Sequence, residues 1–354
     1  MNQLLSILLL SLLQLLNTSD TIDFAFVGDA MQHATQSKAA LQANGTHDYS
    51  SCFTLLQPDI EGVDCAVVNL EAPLGGSPYT GYPCFSAPDE FAWQLKKSGF
   101  DLFLTANNHC LDRRDKGLVR TIATLDDMKI PHVGTYVNAE ARAKKCPLIT
   151  DIKGVKVAFL NYTYGTNGIK IQNDVVVDYI DLKKIDADID HARQLGAQVL
   201  CVCIHWGDEY KLLPNSGQRA IAQHLVDQGV DLIIGSHPHV VEPFKMVHSA
   251  MHHKDVLVVY SLGNFISGQK TADTRGGAMV KVSIKMVDGK PVVFNPRYKL
   301  FFCQHPAGRG DNFRLIPESM PEKVRHDSRS LFNNFMSRAH SQALIYNQGV
   351  PQER

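Results

Sequence analysis

The chain has 354 residues, of which 44% are apolar and 20% charged, and its formal net charge is −1. That composition belongs to a folded protein with ample material for a core, in one large domain or two ordinary ones. The near-neutral balance, free of long charge runs, carries no electrostatic footprint for nucleic acid, and no basic groove for a polyanion is evident.

Leu4 to Leu16 is a leucine-rich run of signal-peptide core length, short for a membrane span. No Lys or Arg precedes it, and no clear A-x-A site or lipid-acceptor cysteine follows. Residues 1–20 read as a secretory signal or an uncleaved N-terminal anchor. This predicts an exported protein, periplasmic or extracellular. An amphipathic helix packed on the domain is the other reading. Eight cysteines are scattered without a C-x-x-C, which argues against zinc ribbons and thioredoxin-type redox. Cys201 and Cys203 read as buried packing. Cys52 with Cys84 is the disulfide to expect of an exported chain.

The first strand is Thr21 to Val27, followed at once by Gly28-Asp29-Ala30-Met31, so a carboxylate stands at a strand end. Ser37 to Gln42 reads as helix. A second strand, Cys65 to Asn69, leads to Glu71. Residues 73–88 are rich in Pro and Gly and predict an irregular loop, whose Tyr79, Tyr82 and Phe85 line a pocket or cover the core. Pro88 to Ser98 is helical. A third strand, Phe100 to Thr105, ends in Asn107-Asn108-His109, with Asp112 three residues on. Gly117 to Met128 reads as helix, then Ile130 to Gly134 and Val155 to Leu160 as strands. The polar segment 161–180 is a candidate substrate loop.

Asp181 to Leu195 has the spacing of a solvated amphipathic helix. The strand Val199 to Ile204 precedes His205-Trp206-Gly207-Asp208-Glu209-Tyr210, and Ser216 to Gln228 is helical. The apolar run Leu232-Ile233-Ile234 ends in Gly235-Ser236. His237 and His239 follow, separated by Pro238, which biases the segment away from helix. In extended backbone two such rings converge on one point. Val256 to Tyr260 is a strand followed by Ser261-Leu262-Gly263-Asn264-Phe265. Residues 278–303 alternate like exposed antiparallel strands joined at Asp288-Gly289. Beyond 304 come a loop and an amphipathic helix, Asp327 to Tyr346.

Taken singly, each polar group has a bland reading as a turn Asp or a loop His. Together, strand ends deliver Asp29, Glu71, Asn108 with His109, His205, and His237 with His239. In α/β sheets ligands bind outside the carboxyl ends of strands. Two carboxylates, an amide and several imidazoles suffice for one or two divalent ions of the Mn, Zn or Fe kind.

The runs FVGDAM, NLEAPL, TANNHCLD, IHWGDEY, GSHPHVVEP and YSLGNFI, in this order over about residues 22–300, resemble the CapA family of capsule-synthesis proteins. That family includes a poly-γ-glutamate assembly protein and is related to calcineurin-like metallophosphoesterases. The resemblance implies an α/β fold, a four-layer αββα metallophosphoesterase-like sandwich of two mixed sheets. It spans 21–303 here, with 304–354 as a C-terminal extension. It implies Asp29 and His239 on a first metal, Glu71 bridging, and Asn108, His205 and His237 on a second. His109 would be the catalytic imidazole, with Glu209, Asn264 and Arg275 for substrate. Related phosphoesterases carry His two residues after the first Asp; here that position is Met31 and the nearest His is His33, which leaves the first metal one ligand short. Two readings follow. One is a metal-dependent hydrolase of a phosphoester or a glutamyl amide. The other is a non-catalytic subunit that binds an anionic polymer within a capsule-synthesis membrane complex.

Overall fold

The computed structural model describes residues 21–353. The leucine-rich run 4–16, and with it the signal or anchor reading, lies outside the described residues. Among the described residues no helix is long and apolar enough to cross a membrane.

The strands, in chain order, are β1 (Thr21–Ala30), β2 (Cys65–Leu70), β3 (Leu102–Leu104), β4 (His132–Val133), β5 (Thr135–Tyr136), β6 (Leu148–Ile152), β7 (Val155–Thr163) and β8 (Val176–Val177). They continue with β9 (Val199–His205), β10 (Leu232–Ser236), β11 (Phe244–Ser249), β12 (Lys254–Val259), β13 (Asn264–Ile266), β14 (Gly276–Val287), β15 (Lys290–Gln304) and β16 (Arg314–Pro317). One large sheet has the order β16-β15-β14-β1-β2-β3-β4, with β13 against the end of β1; the other has the order β11-β12-β10-β9-β7-β6, and β5 pairs with β8 apart from both. Both large sheets are mixed. β1, β2, β3 and β4 are parallel neighbours while β14 joins β1 antiparallel. β7, β9, β10 and β12 are parallel while β6 and β11 are antiparallel edges.

Alternation along the strands builds the layers. In β1, Phe24 and Phe26 enter one buried cluster with Phe159, Cys201, Cys203 and Ile234 of the other sheet. Ala25 and Val27, on the opposite face, pack with Phe91, Leu95 and Leu125 from the helices Asp89–Lys97 and Arg114–Asp127. In β9 and β10 the same rule sends Leu200, Val202 and Ile233 outward. There they meet Ile185 and Ile189 of the helix Leu182–Gln194 and Leu225 of the helix Ser216–Asp227. The result is helix, sheet, sheet, helix.

Some expectations change. The strand foreseen over 130–134 is two short strands, β4 and β5, broken at Gly134 with φ 115°. Residues 278–303 do form a hairpin, but its first arm is buried from Gly276 to Ile284, because β14 lies inside the sheet between β1 and β15. The C-terminal helix is α-helical only over Arg329–Arg338 and then changes pitch. Its Phe332, Phe335 and Met336 join the inter-sheet cluster, and the tail pairs Gln348 with Lys245 and Gln352 with Tyr298. Cys52 and Cys84 are not bridged: all eight cysteines are free, Cys52 buried in the core and Cys84 exposed on the loop.

Candidate metal centre

Parallel strands share their carboxyl edge, so β1, β2, β3, β9 and β10 release their polar endings at one place. Gly28 lets β1 reach it: a Cβ there would sit 1.9 Å from the carbonyl oxygen of Gly263. The close approach allows the Asp29 N–H to donate to that carbonyl at 3.0 Å.

Two sets of ligating atoms gather around Glu71. Asp29, Glu71 and His239 form one; Glu71, His205 and His237 form the other, each with its atoms within 4.8 Å of one another. Glu71 belongs to both. His205 Nε2 lies 3.5 Å from Glu71 Oε1 and 2.9 Å from Asn108 Oδ1, so the amide oxygen joins the second set. Asp29 is held from two sides, by Asn69 Nδ2 on Oδ1 at 2.8 Å and by His239 Nδ1 on Oδ2 at 3.0 Å. His205 is oriented by Ser236 Oγ, 3.0 Å from Nδ1.

The electrostatics are those of crowded acids and imidazoles with few donors. Glu71 is fully buried and neither of its oxygens has a hydrogen-bond donor; His237 Nδ1 is likewise buried and unpartnered. Burial, then the neighbouring Asp29, pushes the Glu71 carboxyl well above the carboxylate range. Burial, then the other imidazoles, holds His205 well below the usual range and takes His237 to about 3. Buried polar atoms are ordinarily satisfied, and crowded carboxylates and neutral imidazoles become mutually favourable around a cation. Carboxylate, imidazole and amide oxygen are donors that suit a borderline divalent ion, so the residues present fit such an ion.

The two histidines of the H-P-H run do not converge on one point. Their backbones are left-handed, with φ 102° at His237 and 59° at His239, a conformation that non-glycine residues adopt at some cost. The rings lie 6.0 Å apart, His237 in one ligand set and His239 in the other. His109 stands beside the second set with Nδ1 at 2.8 Å from Asp112 Oδ2. The same oxygen accepts the Phe85 N–H at 2.7 Å, and the Phe85 ring meets His109 edge-on at 4.6 Å. Segment 161–180 does reach the site. Asn167 Oδ1 accepts from Asn108 Nδ2 at 3.3 Å, and Tyr164 packs 4.5 Å from His237. Glu209 is exposed on the loop after β9 and is among the charges that raise Glu71. Asn264 is fully buried beside Asp29 on the sheet; its Nδ2 donates to Gln269 and Thr274, and its Oδ1 has no partner. Arg275 is half-buried at the end of that same loop. Met31 is buried and receives the Ser267 hydroxyl on its sulfur at 3.8 Å. Tyr164 and Asn167 belong to the expected substrate loop 161–180, whereas Asn69 was not foreseen, although its position at a strand end could have signalled it.

The solved structure of Haemophilus influenzae NAD nucleotidase (NadN) superposes on 94% of this chain and 64% of its own, with TM-score 0.51 at 11% identity, a likeness of fold. The capsule biosynthesis protein CapA of Bacillus anthracis is 29% identical over 279 residues, covering 75% of this chain and 65% of that protein. The PGA biosynthesis protein CapA of Bacillus subtilis (strain 168) is 28% identical over 279 residues, 76% of this chain and 69% of its own. The chain thus spans about two thirds of the length of these relatives. Residues 23–269, which hold every residue of the two ligand sets, match the profile of the bacterial capsule synthesis protein PGA_cap, and the chain belongs to that family.

Proposed function

We propose that the protein is a divalent-metal-dependent hydrolase of the cell envelope, acting on an anionic capsule polymer of the poly-γ-glutamate type. The observation that carries the reading is the Glu71 carboxylate, fully buried, without a donor, and common to two sets of ligand atoms. Asp29, Glu71 and His239 would hold one ion, and Glu71, Asn108, His205 and His237 a second. Bound divalent ions supply a water of near-neutral pKa and polarise the scissile group.

The chain's own groups do the rest. His109 Nδ1 donates to the Asp112 carboxylate, and as an imidazolium His109 gives its Nε2 proton to the leaving atom, becoming the neutral ring with its remaining proton on Nδ1. The Phe85 N–H fixes Asp112, and the Phe85 ring excludes water from that side of the imidazole. Asn167 holds the Asn108 amide so that its oxygen faces His205 Nε2, where it would help hold a second ion.

The relatives named for capsule and PGA biosynthesis support an envelope role. With the leucine-rich N-terminal run, they support export to the periplasm or cell surface and work beside a capsule-synthesis membrane complex; nucleic acid is not a partner in this reading. The test is metal content with turnover. We expect one to two ions per chain, Mn- or Zn-dependent cleavage of a generic phosphodiester or a γ-glutamyl oligomer, and loss of both in His237→Ala. Absence of metal and of turnover, with tight polymer binding, would leave the accessory-subunit reading. That reading draws on Met31, a thioether where related phosphoesterases place an imidazole.

A further inference from the structure

A cationic corner beside the metal centre is used by none of these steps. It is built on the connection from β13 to β14. Asn264 Nδ2 donates to Gln269 Oε1 and to the Thr274 carbonyl, both at 2.9 Å, and folds residues 267–275 into an arch. Arg275 Nε closes the arch on the Lys270 carbonyl at 3.3 Å, and the Cys303 N–H donates to the Arg275 carbonyl at 2.7 Å. At the other end the Gly268 N–H donates to His33 Nδ1 at 3.1 Å. A Cβ on Gly268 would fall 2.7 Å from His33 Cβ, so the approach requires glycine. With Nδ1 accepting, the neutral ring of His33 carries its proton on Nε2. The His33 ring packs edge-on against Phe85 at 5.2 Å, and Phe85 in turn against His109. The corner therefore adjoins the reaction site.

The charges here lack counter-ions. Arg275 makes no ion pair among the described residues, and neither does Lys270; Asp273, between them, is engaged by Arg338 at 2.5 and 2.6 Å. Burial pulls the Arg275 guanidinium below its usual value. His305 Nε2 is buried without a partner. Burial first, then the charges of Arg275 and Lys270 with the ring of His33, takes His305 to about 4. A half-buried guanidinium without an anion is costly, and grouped cations of this kind receive carboxylate or phosphate.

We propose that Arg275, Lys270, His33 and His305 form a second subsite that takes a carboxylate of a repeating anionic chain while another unit of that chain lies at Glu71. The position of the reacting unit rests on the hydrolase reading; the binding does not. A polymer with one carboxylate per unit fills both places, and a small phosphodiester fills only the first.

The test titrates the full chain, Mn-loaded, with a γ-linked glutamate hexamer and with tripolyphosphate by calorimetry. It compares wild type with Arg275→Gln, Arg275→Lys and Lys270→Gln, with metal content measured in each. Loss of one charge-assisted contact predicts hexamer binding weaker by about tenfold or more in Arg275→Gln, less in Arg275→Lys, at wild-type metal content. Where turnover exists, the loss on the hexamer exceeds that on a generic phosphodiester severalfold. Unchanged hexamer affinity in Arg275→Gln, or equal losses on both substrates, overturns the subsite. Tripolyphosphate binding tighter than the hexamer, with the same dependence on Arg275, overturns the carboxylate and assigns the corner to phosphate. Absence of turnover on every substrate counts against the hydrolase alone, because the binding titration still reads the corner.

Discussion

Two of the places where this molecule buries carboxylates treat them oppositely. Behind the second sheet, Asp178 accepts from Arg142 Nε and Lys184 Nζ, each at 2.6 Å, while Asp188 accepts from Arg142 and from the Tyr162 hydroxyl at 2.8 Å. Each acid there meets a cation supplied by the chain. At the strand ends Asp29 and Glu71 lie side by side, and Glu71 has no donor at all. Burying charge is tolerable only when it is paired. The first cluster is paired within the chain and therefore structural; the second has the donor set that the proposed divalent ion would complete.

That contrast predicts opposite responses to substitution. Glu71→Gln should lower hydrolysis by about a thousandfold with loss of bound metal, yet raise the melting temperature of the metal-free chain, because an unpaired buried acid is removed. Arg142→Met should do the reverse, costing about 3–5 kcal/mol in denaturant unfolding while metal content stays at the wild-type level. A metal-free Glu71→Gln protein less stable than wild type, or a harmless Arg142→Met, would erase the distinction. A smaller effect belongs to Asp112→Asn. Loss of the partner that orients His109 should reduce kcat by roughly tenfold to a hundredfold with KM and metal content little changed, and a rise in KM alone would remove Asp112 from proton transfer.

The smallest effect sharpens the comparison through pH. Glu242 is buried; its Oε2 accepts from Gln218 at 2.7 Å and its Oε1 has no partner. Burial raises its pKa from 4.5 to about 8. Between those values the folded state holds a proton that the unfolded state has released, so this group's contribution falls as pH rises from about 4.5 to 8. Glu242→Gln should flatten that decline in melting temperature, and an unchanged slope would show that Glu242 does not cause it.

Much of this was legible because the relevant signals are local. An apolar run that stops at a carboxylate or an imidazole announces itself over six or seven residues, as at Asp29, Glu71 and His205. The αββα layering follows from the same alternation, as Phe24 and Ala25 show by taking opposite faces. What stayed hidden depends on distance along the chain or on backbone dihedrals. Asn167 meets Asn108 across 59 positions, from a loop with no periodicity. The left-handed turns at His237 and His239 could not be read from the proline between them, and the rings expected to converge on one point enter separate ligand sets that share Glu71. Arg275 entered only through the family resemblance and Lys270 is ordinary in sequence; the arch tied by Asn264 brings them beside His33 and His305.

The partners of β1 set a timetable for the chain. Its parallel neighbour β2 begins at Cys65, but its antiparallel neighbour β14 begins at Gly276. Asp29 meets His239 across 210 positions. A chain emerging from its N-terminus therefore carries two acids without their imidazoles, and a central strand with one bare edge, until most of it has been made. A product cut short before Gly276 would leave β1 open to pairing with other chains even though its ligand residues are all present.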